Sequence, residues 1–191
     1  MSSMKFLRRM LFGILLCFST SVAAHDRQPF LHEFGELRVY FSDWLVVCDD
    51  WGNGSCRAVY YVLGDDDTTF FGESVLRLHQ ASAGGPIEFE FYDQGAPDPM
   101  GLMFMDVDGH QIASLSPRTD YSAYMANGQS SVMETIQINS PRNVARVVSE
   151  MKAGRWLTIN YQRTSDERKE VAISLRGISA ALRFMDRQLG K

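Results

Sequence analysis

The hydrophobic pattern reads as a series of short strand-like runs, some continuously apolar and some alternating with a period of two, and changes to a helical period in only two late stretches. Asp43 to Cys48 (DWLVVC) is apolar and β-branched, and Cys56 to Val62 (CRAVYYV) is a second run of the same kind. Between them Asp49-Asp50-Trp51-Gly52-Asn53-Gly54-Ser55 is dense in turn formers, so the pair reads as a hairpin. Gln28 to Glu36 shows no alternation and reads as a lead-in segment. Glu73 to Gln80 is compatible with a strand. Ile87-Glu88-Phe89-Glu90-Phe91 puts three apolar side chains on one face and two glutamates on the other, the pattern of a half-buried strand. Leu102 to Val107 and His110 to Leu115 flank Asp108-Gly109, a dipeptide suited to a two-residue turn in which both residues need positive φ. Val132 to Ile138 predicts one more strand. Trp156 to Tyr161 and the run carrying Val171, Ile173 and Leu175 predict a pair turning at Thr164 to Arg168.

The helical stretches have their own punctuation. Ser140 can cap free N–H groups, and Pro141 suits the first helical position because it lacks one. Val144, Val147, Val148 and Met151 then recur at i, i+3, i+4 and i+7, a single apolar stripe. Gly154 is expected to supply a left-handed stop. Ile178, Ala181, Leu182, Met185 and Leu189 form a second stripe, with Ser179 as its expected N-cap. Hairpin-linked strands with two late helices predict a mainly β (α+β) fold: an antiparallel sandwich or partial barrel with two helices packed on it near the C-terminus. Regular βα alternation is absent, and no internal repeat is visible.

The first residues change the picture of where this fold works. Lys5, Arg8 and Arg9 precede a short apolar run, Met10 to Phe18, and then small residues ending Val22-Ala23-Ala24. That is the layout of a secretory signal over residues 1–24, leaving 25–191 as one β-rich domain. The apolar run falls short of the ~20 residues that span a bilayer. Leu15-Leu16 before Cys17 do not fit a lipidation site. Of 191 residues 45% are hydrophobic and 22% charged, which excludes a disordered or fibrous chain. The formal charge is −4, and loss of Lys5, Arg8 and Arg9 would make it −7, the wrong sign for coating nucleic acid. After cleavage two cysteines remain, Cys48 and Cys56. In an oxidising compartment, with no histidine in the stretch and no Cys-x-x-Cys spacing, they are expected to form a structural disulfide across the hairpin base.

Phe41-Ser42-Asp43-Trp44-Leu45-Val46-Val47-Cys48, with Cys56-Arg57-Ala58 after it, resembles the opening signature of the invasion-associated locus B family of exported bacterial proteins. Lys152-Ala153-Gly154 before a strand and Ser174-Leu175-Arg176-Gly177-Ile178-Ser179-Ala180-Ala181-Leu182 resemble that family's closing portion. The tail Ala180 to Gln188 is similar to a related periplasmic family of unknown function in Gram-negative bacteria. Two features depart from these patterns: no second cysteine pair follows Cys56, and the chain ends soon after the Ala-Ala-Leu helix. The resemblance implies a periplasmic or secreted β-rich protein and no defined reaction. Its link to host invasion attaches to a few pathogens only.

Candidate chemistry is sparse. Gly177-Ile178-Ser179-Ala180-Ala181 lacks the last glycine of a nucleophile elbow. Glu88 and Glu90 could pair as carboxylates, but strict alternation makes them a solvent face. Asp106 and Asp108 lack the remaining ligands of an EF-hand loop. Asp65-Asp66-Asp67 reads as a solvated loop or a weak Ca²⁺ site. His25, His32, His79 and His110 show no zinc spacing. Trp51, Phe70 and Phe71, with Tyr121 and Tyr124, fall in apparent loops, where aromatic side chains either anchor a partner or fold back on the sheet. The expectation is a non-enzymatic exported module, without cofactor or metal, that contacts a protein or envelope component through Trp51, Phe70 and Phe71. A periplasmic hydrolase using Ser179 or Glu88/Glu90 is the alternative.

Overall fold

The computed structural model describes residues 28–63, 73–124 and 134–191. The expected signal segment, His25, Asp65 to Asp67, Phe70 and Phe71 lie outside the described residues. Twelve strands and two helices follow in the order β1 (Phe30–His32), β2 (Glu36–Phe41), β3 (Trp44–Cys48), β4 (Cys56–Val62), β5 (Ser74–Gln80), β6 (Ile87–Asp93), β7 (Met103–Val107), β8 (His110–Leu115), β9 (Tyr121–Tyr124), β10 (Thr135–Ile138), α1 (Pro141–Ala153), β11 (Trp156–Gln162), β12 (Arg168–Ser174) and α2 (Ile178–Leu189). One sheet of eight strands runs β1-β2-β3-β4-β5-β6-β10-β9, and a second of four runs β12-β11-β7-β8. Every strand pairing is antiparallel, and neither sheet closes into a barrel.

The core is the set of inward positions that alternation selects. Trp44, Val46, Ala58, Leu76, Leu78, Phe89 and Phe91 of the large sheet meet Met103, Met105, Leu115, Leu157, Ile159 and Ile173 of the small one. Each aliphatic side chain so buried stabilises by about 1.5–3 kcal/mol. The α1 stripe Val144, Val147, Val148 and Met151 is buried as periodicity predicts, and so are Ile178, Ala181, Leu182 and Met185 of α2. α1 lies between β10 and β11 in sequence and packs on β6, β8 and β10; α2 packs on β2, β3 and β4.

The two stretches that carry the family resemblance touch each other. Trp44 is fully buried, and its Nε1–H donates to the Ser174 carbonyl at 2.8 Å. The Ser174 hydroxyl donates to Asp43 at 2.6 Å, and Arg176 donates to the other Asp43 oxygen at 2.7 Å. The Arg176 guanidinium, with the Ser174 hydroxyl, holds the Asp43 carboxyl below the usual range despite partial burial. Gly177 has φ +99, and a Cβ there would overlap the Phe41 carbonyl. This seam joins the two sheets through residues far apart in sequence.

Several expectations need correction. Gln28 to Glu36 is not merely a lead-in, because it contains β1 and the start of β2. Tyr121 and Tyr124 are not loop residues: they bound β9, and Tyr121 is buried with its hydroxyl donating to the Gly101 carbonyl. That burial, with Asp98 nearby, pushes the Tyr121 phenol up to about 12. Gly154 is extended (φ −92, ψ −179), not left-handed. Its lack of a side chain serves close packing, since a Cβ would overlap Val107. Ser179 does not cap α2. Gly177 takes that place, and the Ser179 hydroxyl donates to the Lys152 carbonyl at 3.2 Å, tying α2 to α1. The Ser140 cap and the Pro141 start are as expected, with Asn143 N–H donating to the Ser140 hydroxyl at 3.3 Å. Asp108 and Gly109 both have positive φ, 50° and 81°.

Candidate functional site

Cys48 and Cys56 are cross-strand partners at the base of the β3–β4 hairpin and are joined by a disulfide. The bond closes a tight loop. Asp49 anchors its interior: the carbonyl accepts N–H bonds from Gly52 and Gly54, both at 2.9 Å, and the carboxylate accepts the Ser55 hydroxyl at 3.0 Å. Held this way, three successive residues adopt positive φ: Asp50 (48°), Trp51 (55°) and Gly52 (90°). Glycine does so freely, whereas aspartate and tryptophan do so at a cost of about 1–2 kcal/mol each.

The strained turn places a large apolar side chain outside. Trp51 is 56% exposed. Its backbone N–H donates to the Gly35 carbonyl at 2.7 Å, and its indole lies over Gly35, so the β1–β2 turn forms its seat. Phe34, next along that turn, is 75% exposed and packs its ring on His32 at a centroid distance of 4.8 Å. Phe30 and Leu31 are also exposed on β1, where as successive strand residues they point to opposite faces. The far side of the turn is fastened as well: the Gln188 side chain of α2 donates to the Gly52 carbonyl at 2.9 Å. Large exposed apolar side chains gathered about one pair of turns and rimmed by charge make this end the candidate contact surface.

The charged rim is ordered. Arg57 bridges Asp49 at 2.6 Å and Glu36 at 2.7 Å, and Arg38 also pairs with Glu36. Burial raises both carboxyls, but the guanidinium contacts outweigh it and hold Asp49 and Glu36 below their usual values. The same contacts raise the Arg57 guanidinium against the opposing effect of burial. The rim is therefore anionic and cationic in register at neutral pH.

The other candidate residues are occupied in structural contacts. Glu90 pairs with Arg77 and accepts the Tyr124 hydroxyl, and Glu88 faces His79 Nδ1 at 3.4 Å, all on the outer face of the large sheet. Asp108 accepts the backbone N–H groups of Arg155 and Trp156 at 3.0–3.2 Å, and Asp106 accepts the Asn160 amide at 3.2 Å. No cluster of three His, Cys, Asp or Glu side chains suited to a metal occurs among the described residues. No described helix is long and apolar enough to cross a membrane.

Sequence reasoning missed the strongest polar assembly. At the opposite end of β5 and β6, Asp93 is fully buried. It accepts two bonds from Arg163, both at 2.9 Å, the Tyr161 hydroxyl at 2.7 Å and the Ser74 hydroxyl at 3.3 Å. Arg163 also reaches Glu73 at 2.7 Å, and Lys169 joins the same Glu73 oxygen at 2.7 Å. Lys169 and Arg163 hold the Glu73 carboxyl below its usual range, while burial and Asp93 push the Tyr161 phenol far up. The signal was present: Asp93 continues the inward stripe Ile87, Phe89, Phe91, so alternation places a carboxylate in the core and demands a cation for it. A groove of about 640 Å³ beside this clamp is lined by Leu102, Phe104, Asn160, Gln162 and Lys169.

Comparison with known proteins is consistent with this geometry. The invasion associated protein B of Bartonella henselae has a similar solved structure, with a TM-score of 0.61 over 81% of this chain and 99% of that one. At 13% identity the likeness is one of fold. No curated protein matches the chain. The pattern of the family described as "Protein of unknown function (DUF1176)" matches residues 39–191, and the chain belongs to that family.

Proposed function

We propose that this protein is an exported bacterial binding module. Residues 1–24 act as its cleaved signal, and residues 25–191 are the folded domain that contacts a protein or envelope component in the periplasm or outside the cell. The observation that carries this reading is the disulfide-closed β3–β4 turn, which holds Trp51 outward in a strained conformation over Gly35, the neighbour of exposed Phe34. Backbone strain kept at an exposed aromatic fits pre-organisation for contact, because ordering costs are met before a partner arrives. Phe70 and Phe71 are proposed as further contact residues on their sequence pattern alone. The likeness to a protein named for invasion fits an exported role and lends no partner.

Envelope extract passed over the immobilised protein tests this. Trp51→Ala and Phe34→Ala should lose the retained partner while Trp156→Ala, an exposed aromatic on the other sheet, keeps it. Equal retention by all three would remove the tip from the account. Ser179 bears on the hydrolase alternative: its hydroxyl is bonded to the Lys152 carbonyl. Covalent capture of Ser179 by a serine-reactive probe would favour catalysis instead.

A further inference from the structure

Where α1, α2 and the β5–β6 connection meet, two grooves join. One, of about 600 Å³, is lined by Ile87, Lys152, Leu182, Arg183, Asp186 and Arg187. The other, of about 430 Å³, continues from Ile87 and Lys152 along Pro86, Val144, Ala145 and Val148. The first arm is cationic and the second apolar. Lys152, Arg183 and Arg187 are exposed, and among the described residues none of them forms an ion pair. Asp186, the acid in this arm, already accepts the Gly84 N–H at 2.7 Å. The two helices carry Arg142, Arg146, Lys152, Arg183 and Arg187 against Glu150 and Asp186, a basic surface on a chain of net charge −4.

From this charge complementarity we propose that the joined grooves bind an anionic lipid, its acidic headgroup among Lys152, Arg183 and Arg187 and one acyl chain along Ile87, Val144 and Val148. Unpaired cations beside an apolar channel match an amphiphile in which charge and hydrocarbon are adjacent, and the combined size suits a small-molecule site. The site is separate from the Trp51 tip, so it stands or falls independently of the proposed contact role.

Dodecyl phosphate below its micelle concentration, titrated calorimetrically into the protein, tests the proposal. One-to-one binding is expected. Arg183→Gln with Arg187→Gln should weaken it on the order of ten-fold for each charge-assisted bond lost. Ala145→Trp, at an exposed position on α1, should block the apolar arm, and Ser149→Trp on the same groove serves if that variant fails to fold. Trp51→Ala should bind as the wild type does. Absence of binding would overturn the proposal. So would inorganic phosphate binding as tightly (an anion site only), neutral dodecyl maltoside binding as tightly (an apolar site only), or an acidic amphipathic peptide binding more tightly (a peptide groove).

Discussion

The two ends of the β4–β5–β6 strands solve opposite problems. At the Asp93 end, charge is taken inside and fully satisfied: one carboxylate, one guanidinium, a phenol and a hydroxyl interlock between the sheets. At the Cys48–Cys56 end, apolar surface is left outside and the backbone is held in conformations it would not choose. A buried ion pair gains little net stability over a hydrophobic equivalent, but breaking it is costly. An exposed aromatic gains little either, and removing it costs almost nothing to the fold. One end therefore holds the sandwich together, and the other is free to meet something else.

The sharpest way to break this contrast is at the clamp. Arg163→Met should destabilise the protein by about 3–5 kcal/mol in chemical denaturation, because Asp93 remains buried and unpaired. Adding Asp93→Leu should recover much of that loss, and equal instability of the double variant would mean that packing, not charge, is the function of the pair. Replacing Cys48 and Cys56 together by alanine should cost about 2–3 kcal/mol on the chain-entropy account of a short loop. Proteolysis should then cut first between Asp49 and Ser55 if the disulfide is what keeps the turn closed.

Acid should loosen the seams before the core. Asp43 and Glu73 have carboxyls held below their unfolded values of 3.8 and 4.5. Their contribution to stability is complete above those unfolded values and is lost as pH falls through the lower folded ones. Denaturation midpoints should therefore fall as pH drops below about 4, and Glu73→Gln should flatten that fall. The smallest stability effect belongs to the tip: Trp51→Ala should stay within about 0.5 kcal/mol of the wild type by thermal unfolding. A large loss there would show that the indole braces the fold, and the two ends would no longer differ in kind.

Much of this architecture is legible locally, and the rest depends on contacts between distant residues. The β3–β4 hairpin, the Asp108–Gly109 turn and both helical stripes are stated by neighbours a few residues apart. Trp51 was also visible, as an aromatic among turn formers. Asp93 is legible as a carboxylate on an inward stripe, but its partner Arg163 is not, because the two lie 70 residues apart and only the stacking of two sheets brings them together. β1 escaped because its side chains are largely exposed and carry no alternation. Ser179 misled because serine caps helices well, but Gly177 alone can pass the Phe41 carbonyl and so sets where α2 begins.

The most direct measurement replaces residue 51 with a photoreactive phenylalanine analogue in the native host and compares crosslinked products with those from the same replacement at Trp156. The account predicts a discrete adduct from position 51 that Phe34→Ala suppresses and no matching adduct from position 156. Indistinguishable products from the two positions would contradict it.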